Sequence, residues 1–165
     1  VAKTLRGHRD LNANYLDDQD IIRYFTHVNL GVAVDTPRGL LVPTVFSADT
    51  LSLNELSAQT KTLISDAKAG TISPDKLRGG SFTVTNLGSM GIESFTPVIN
   101  TPQTGILGVD TITTRIREVD GEIKTYPAMG LSLTYDHRAV DGSPASRFLV
   151  DPRNALENFS LLLSK

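Results

Sequence analysis

Apolar residues alternate with small or polar ones over residues 28–34, so that Val28, Leu30, Val32 and Val34 share one side of an extended chain. Thr36-Pro37-Arg38-Gly39 has the Pro and Gly chemistry of a turn. A second strand follows over residues 40–46, in which Pro43 points to an edge or a bulge. Upstream, residues 11–16 and 20–25 are short extended candidates split by the acidic turn Asp17-Asp18, and residues 1–5 look like the end of a helix closed by Gly7. The clearest helix is 52–69. Leu53, Leu56, Leu63, Ile64 and Ala67 fall on one face, Ser52 and Glu55 have capping-box spacing, Leu51 and Leu56 have staple spacing, and Gly70 ends it. Residues 73–77 add one turn with Pro74 at its start.

After Gly79-Gly80 a strand is predicted over 81–86, then a Gly-, Ser- and Pro-rich loop over 87–100. Strands are predicted over 103–110 and 112–119, and Asp120-Gly121 is a hairpin signal into 122–126, with another strand at 128–136. From Ser143 the chain is helical, and Asp151-Pro152 is expected to kink or restart that helix. The sum is an α+β fold: a two-layer sandwich with a mixed sheet of five or six strands and few helices on it.

Composition narrows the function. The chain has 165 residues and 17.8 kDa, enough for one domain that needs no disulfide or metal staple. It has no cysteine, which excludes a thiolate metal site and a cysteine nucleophile in this chain. Sixteen basic against 18 acidic residues give a net charge of −2, with no basic block, and tryptophan is absent. That composition argues against a nucleic-acid binder. No apolar run approaches the length of a membrane span. Residues 1–9 lack both Met and the apolar run of a signal peptide, so the chain reads as beginning in the middle of something longer.

Two clusters carry candidate chemistry. In the first, Leu131, Leu133, Tyr135 and His137 share one face by alternation, which puts an imidazole at the end of an apolar strand face. Partial desolvation there favours a neutral imidazole, hence a base. Asp141, four residues on, precedes a helix start, where it would cap backbone donors or hold an arginine and brace the loop. The alternative is a satisfied, half-buried histidine beside an N-capping aspartate. In the second cluster Ser81, Thr83 and Thr85 share one strand face. They form either a solvated row or one that ends in a hydroxyl able to donate to a developing oxyanion at Thr85. Asn86 and Ser89 follow it in a loop suited to a polar ligand. His8 is read as a surface residue and His27 as carrying no chemistry.

The run Asp136-His137-Arg138-Ala139-Val140-Asp141-Gly142 resembles the His-x-x-x-Asp-Gly signature of the dihydrolipoyl acyltransferases, the core components of 2-oxo acid dehydrogenase complexes. Further segments resemble the same family in order: Asn12-Ala13, the stretch from Asn29 to Pro43, Gly79 to Gly88, Phe95 to Asn100 and Pro102-Gln103. The resemblance covers essentially the whole chain and implies a chloramphenicol-acetyltransferase-like fold. It also implies acyl transfer, acetyl favoured over branched-chain or succinyl, from an S-acyl-dihydrolipoyl group on a separate domain to coenzyme A. His137 would be the general base, Thr85 the oxyanion donor and Asp141 the loop-orienting group, while Asp35, Thr85, Asn86 and Ser89 would lie against coenzyme A.

By the same likeness the partners are copies of the chain itself, as trimers building a 24-mer or 60-mer core, with decarboxylase and dihydrolipoyl dehydrogenase components. The place is the bacterial cytoplasm or the mitochondrial matrix. An antibiotic acetyltransferase of the shared fold and a non-catalytic assembly core are the alternatives. The family's domain begins before Val1, so lipoyl and subunit-binding domains and an N-terminal part are expected to lie outside these 165 residues, with extra apolar surface near the first strands.

Overall fold

Asp120 and Gly121 both have positive φ, 54° and 80°, the backbone that a two-residue hairpin turn demands. They join the two longest strands of a computed structural model that describes residues 1–160. Among the described residues, nine strands and three α-helices are formed, in the order α1 (Ala2–Leu5), β1 (Ala13–Leu16), β2 (Ile21–Tyr24), β3 (Leu30–Val32), β4 (Val34–Thr36), β5 (Gly39–Leu41), β6 (Thr44–Val45), α2 (Leu53–Ala69), β7 (Phe82–Asn86), β8 (Gly105–Val119), β9 (Glu122–Tyr135) and α3 (Gly142–Glu157). The main sheet has five strands in the order β6-β3-β7-β8-β9, and β1-β2 and β4-β5 are separate hairpins. β7 is parallel to both β3 and β8, whereas β6 and β9 run antiparallel at the edges. The mixed sheet expected from the sequence is therefore present.

Several boundaries differ from expectation. The stretch 28–34 is not one strand: β3 stays in the main sheet, and after Ala33 the chain leaves it to form β4 of the hairpin with β5. Residues 40–46 divide likewise into β5 and β6 around Val42-Pro43, and Pro43 adjoins an edge strand. Conversely, 103–119 and 122–136 each merge into one long strand. A register shift between Val109 and Ile112 absorbs the break in β8. Pro127 is tolerated because β9 has a free edge where no N–H is needed. Asp151-Pro152 does not restart α3, which runs on to Glu157 with Pro152 inside it.

The core lies between the sheet and α3. Phe82 and Phe148 are fully buried with ring centroids 5.5 Å apart, and Leu5, Leu11, Leu107 and Val140 pack with them. α2 is capped as its sequence requires. Ser52 Oγ accepts the Glu55 N–H, Glu55 accepts the Ser52 N–H at 2.9 Å, and Gly70 closes the helix at φ 74°. His8 is not the surface residue expected. Its ring packs edge-on against Phe148, and its Nε2 lies 2.7 Å from Asp151, which ties the first turn to α3. Ile21, Tyr24, Leu40 and Phe46 are exposed near the first strands, but so are Ile112, Ile116 and Ile123 on the far half of β8 and β9. The apolar surface is therefore not confined to the first strands.

The Leu11 and Phe82 side chains can pack on the start of β8 only because residue 105 is glycine. A Cβ there would meet Leu11 Cδ2 and Phe82 Cε2, each at 2.8 Å. Gly105→Ala is expected to overpack the core and lower stability by about 1–3 kcal/mol, read from the midpoint of a denaturant titration.

Candidate active site

The strand pairings sort the candidate residues into two groups. β3 and β7 run parallel, with Val32 level with Val84, and Asp35 lies just past the end of β3. Thr85 and Asn86 end β7, and Ser89 follows in a single 3-10 turn, Gly88–Met90. Asp35, Thr85, Asn86 and Ser89 thus gather at the carboxyl ends of two parallel strands, the end at which open sheets of parallel strands bind ligands. His137 and Asp141 follow β9, which runs the other way and ends at Tyr135, opposite Gly105 at the start of β8.

The separation can be counted. Thr85 is level with Gly108, Gly108 is level with Ser132, and His137 lies five residues beyond Ser132. At about 3.3 Å per residue and about 4.8 Å between strands, an extended path puts Thr85 and His137 on the order of 19 Å apart. Within one chain they do not share a reacting atom.

The hydroxyl row on β7 is mostly internal. Ser81 Oγ donates to Asn12 Oδ1 at 2.5 Å and Thr83 Oγ1 to Gln103 Oε1 at 2.6 Å, all four residues being buried. Thr85 is half-buried, and its hydroxyl has no protein partner among the described residues. Gly108 beside it lets the Phe95 ring lie on the sheet, since a Cβ there would stand 2.9 Å from Phe95 Cζ. The same loop is fastened where Thr134 Oγ1 donates to the Pro97 carbonyl at 2.6 Å. Thr85 therefore opens under a roof made by the 92–97 loop. Asn86 Oδ1 accepts the Gly88 N–H at 2.8 Å, so its amide nitrogen remains to face outward.

The histidine turn differs from expectation in two ways. His137 is exposed rather than partly desolvated, because β9 ends two residues earlier and the turn lifts the ring off the core face, beside Tyr135 at 5.6 Å between centroids. Asp141 occupies the N-cap position of α3 but makes no side-chain cap bond and holds no arginine among the described residues. The bracing carboxylate is Asp136 instead. It accepts Arg138 Nε at 3.0 Å, Nη2 at 2.7 Å and the Arg138 backbone N–H at 3.0 Å. Those side-chain bonds hold the Asp136 carboxyl below the usual aspartate range against the opposing effect of burial, and the pair raises Arg138 further. Asp136 and Arg138 escaped the sequence reading as a pair, although an acceptor two residues before a donor in a turn is the available signal. Asp17 and Tyr15, which also reach Arg138, gave no local signal.

Comparison with known proteins defines the class and then the family. The fold is chloramphenicol-acetyltransferase-like: a chloramphenicol acetyltransferase superposes with a TM-score of 0.54 at 11% identity, over 89% of this chain and 69% of that one. The family model for 2-oxoacid dehydrogenases acyltransferase (catalytic domain) matches residues 1–164, and the chain belongs to that family. It is 45% identical over 152 residues to the Acholeplasma laidlawii acetyltransferase component of the pyruvate dehydrogenase complex, covering 92% of this chain and 28% of that protein. It is also 45% identical over 158 residues to the Bartonella vinsonii succinyltransferase component of the 2-oxoglutarate dehydrogenase complex, covering 96% and 38%. The chain thus spans well under half of the curated relatives it matches.

Among solved structures, Azotobacter vinelandii dihydrolipoamide acetyltransferase superposes with a TM-score of 0.90 at 34% identity, over 98% of this chain and 67% of that one. That structure addressed the catalytic roles of a serine, a histidine 52 positions later and an asparagine four further on. The cubic core of a pyruvate dehydrogenase complex also superposes at 0.90, with 33% identity over 98% and 67% of the two chains.

A lowered carboxyl stabilises the fold fully above its unfolded value, near 3.8, and that contribution is lost as pH falls through the lowered folded value. Acidification below that range is therefore expected to loosen the 136–140 turn. Hydrogen exchange at the Arg138 amide, which donates to the Asp136 carboxylate, reads this loosening, as does exchange at the Val140 amide, which donates to the Asp136 backbone carbonyl. In Arg138→Gln it should set in at higher pH.

Proposed function

We propose that the chain is the acyl-transferring core of a 2-oxo acid dehydrogenase complex, moving an acyl group from an S-acyl-dihydrolipoyl group to coenzyme A. The observation that carries this reading is a spacing. Thr85, His137 and Asp141 stand 52 and four positions apart, counting from 85 to 137 to 141, as do the serine, histidine and asparagine of the Azotobacter enzyme. Threonine for serine keeps the hydroxyl. Aspartate for asparagine keeps an acceptor at the N-cap and adds a charge.

In this mechanism a ring nitrogen of His137 takes the proton from the coenzyme A thiol, a task suited to an imidazole near neutral pH. The thiolate sulfur attacks the thioester carbonyl, and the Thr85 hydroxyl donates to the tetrahedral oxyanion. Collapse breaks the bond to the dihydrolipoyl sulfur, which leaves as a thiolate and takes the proton held by His137. The substrates supply both thiols, in keeping with a chain that has no cysteine. Asp136 holds the turn through Arg138, Asp141 stands at the N-cap of α3, and Asp35, Asn86 and Ser89, with Thr85, receive coenzyme A at the carboxyl ends of β3 and β7. The opposite placement of Thr85 and His137 calls for two copies at each site, joined head to tail as in a trimer. Trimers would then form a larger core, as in the cubic relative, alongside decarboxylase and dihydrolipoyl dehydrogenase partners. None of the described helices is long and apolar enough to cross a membrane, and a bacterial cytoplasmic complex is the setting we propose. Acetyl is the favoured group because Phe95 lies over Gly108 beside Thr85 and narrows the space there.

Subunit complementation tests the shared site. In the full-length protein His137→Ala should lower kcat about 10²–10⁴-fold and Thr85→Ala about 10²–10³-fold. Co-assembling the two variants should restore activity, because about one interface in four joins an intact histidine to an intact threonine. No recovery in mixed assemblies would sink the two-copy site. Turnover of acetyl, isobutyryl and succinyl donors is expected to favour acetyl, and a preference for succinyl would overturn the choice of acyl group.

A further inference from the structure

The turn that carries His137 has little packing of its own. His137 and Arg138 are exposed, and the next buried side chain is Val140. A base acts only if its ring is held close to one geometry. The holding contacts come from Arg138, the residue after the base. Its guanidinium takes Asp136 in a two-point grip, and Nη1 reaches Asp17 Oδ1 at 2.5 Å, across 121 positions of sequence. Its plane lies over the Tyr15 ring, 4.2 Å from the centroid. Tyr15 ends its own reach in a hydroxyl bond to Asp20 across the same hairpin.

That hairpin is itself tied to the central sheet. Asn14 bridges to Gln103, the Tyr15 N–H donates to the Pro102 carbonyl at 2.7 Å, and Asn12 accepts from Ser81. A single exposed ion pair contributes about 0–1 kcal/mol. Here a forked arginine joins two carboxylates and an aromatic face, the arrangement in which guanidinium geometry does confer rigidity.

We infer that Asp17, Tyr15 and Arg138 form a clamp between the β1-β2 hairpin and the turn after β9, and that this clamp positions His137 for proton transfer. The inference rests on His137 being the base of the proposed reaction. The three are positioning residues: they act through the turn, so their loss should lower kcat and leave the KM of both substrates nearly unchanged.

The test uses the full-length, assembled protein with acetyl-dihydrolipoamide and coenzyme A, with assembly verified by sedimentation. Arg138→Lys keeps the charge but loses the fork, and is expected to lower kcat about 10- to 100-fold, the scale of a small misplacement of a reacting group. Asp17→Asn should lower kcat in the same direction by less, with KM within about twofold. The double variant should be no slower than Arg138→Lys alone, because both changes break one interaction. Tyr15→Phe should stay near the parent rate and Tyr15→Leu should not. If Arg138→Lys fails to assemble, Asp17→Asn, on an exposed turn, still decides the matter. Parent-like kcat in Asp17→Asn, strictly additive losses, or a rise in KM at constant kcat would each overturn the clamp. A fully active His137→Ala would instead overturn the reading of the site, whereas an inactive His137→Ala beside a fully active Asp17→Asn would overturn the clamp alone.

Discussion

The parallel pairing of β7 with β3 on one side and β8 on the other governs the rest of the molecule. Strands that run parallel cannot be joined by tight turns, so the chain between β3 and β7 must travel, and it does so through the β4-β5 hairpin, β6 and α2. The same pairing delivers the ends of β3 and β7 to one side of the sheet. It obliges β9, returning antiparallel from the Asp120-Gly121 turn, to deliver His137 to the other. The chemistry proposed for Thr85 and His137 would therefore be divided between copies of the chain.

Buried polar fasteners hold that register. Ser81 to Asn12 and Thr83 to Gln103 join β7 to the segments before β1 and before β8, and both bonds lie where water cannot substitute for a lost partner. Two of the three hydroxyls on the β7 face are thus spent on structure, and the third, Thr85, emerges where the core ends. Glycines at 105 and 108 complete the arrangement: one admits Phe82 and Leu11, the other admits Phe95. The strand, the loop above it and the hydroxyl at its tip form one packed unit, which is why Phe95 bears on the room available at Thr85.

Local signals were well read wherever the physics is local. The Ser52-Glu55 box, the Gly70 cap, the Asp120-Gly121 turn and the alternating face of 131–135 depend on residues a few positions apart, and each is found as expected. The failures share a cause as well. Whether 28–34 is one strand or two depends on which partners are available on either side of Ala33. Whether Pro127 and Pro152 interrupt an element depends on an edge and on helix surroundings that composition does not state. The alternation of 131–135 does not carry on to His137, because the strand ends at Tyr135. Asp136 rather than Asp141 braces the turn, because position before a helix says nothing of where Arg138 turns.

By itself the sequence determined the elements, the α+β class and, through the order of its motifs, the family and the three residues on which the chemistry is proposed to rest. Those are properties of short spacings and of side-chain chemistry. The tertiary structure alone decided that Thr85 and His137 stand at opposite ends of a sheet and that Asp17 and Tyr15, more than a hundred positions upstream, hold the arginine beside His137. It also decided that the two clusters proposed as one site stand apart within a single copy. The physical reason is that strand order and register are long-range choices. Hydrogen-bonded backbones and buried contacts from the entire chain settle them, and no window of neighbouring residues encodes them.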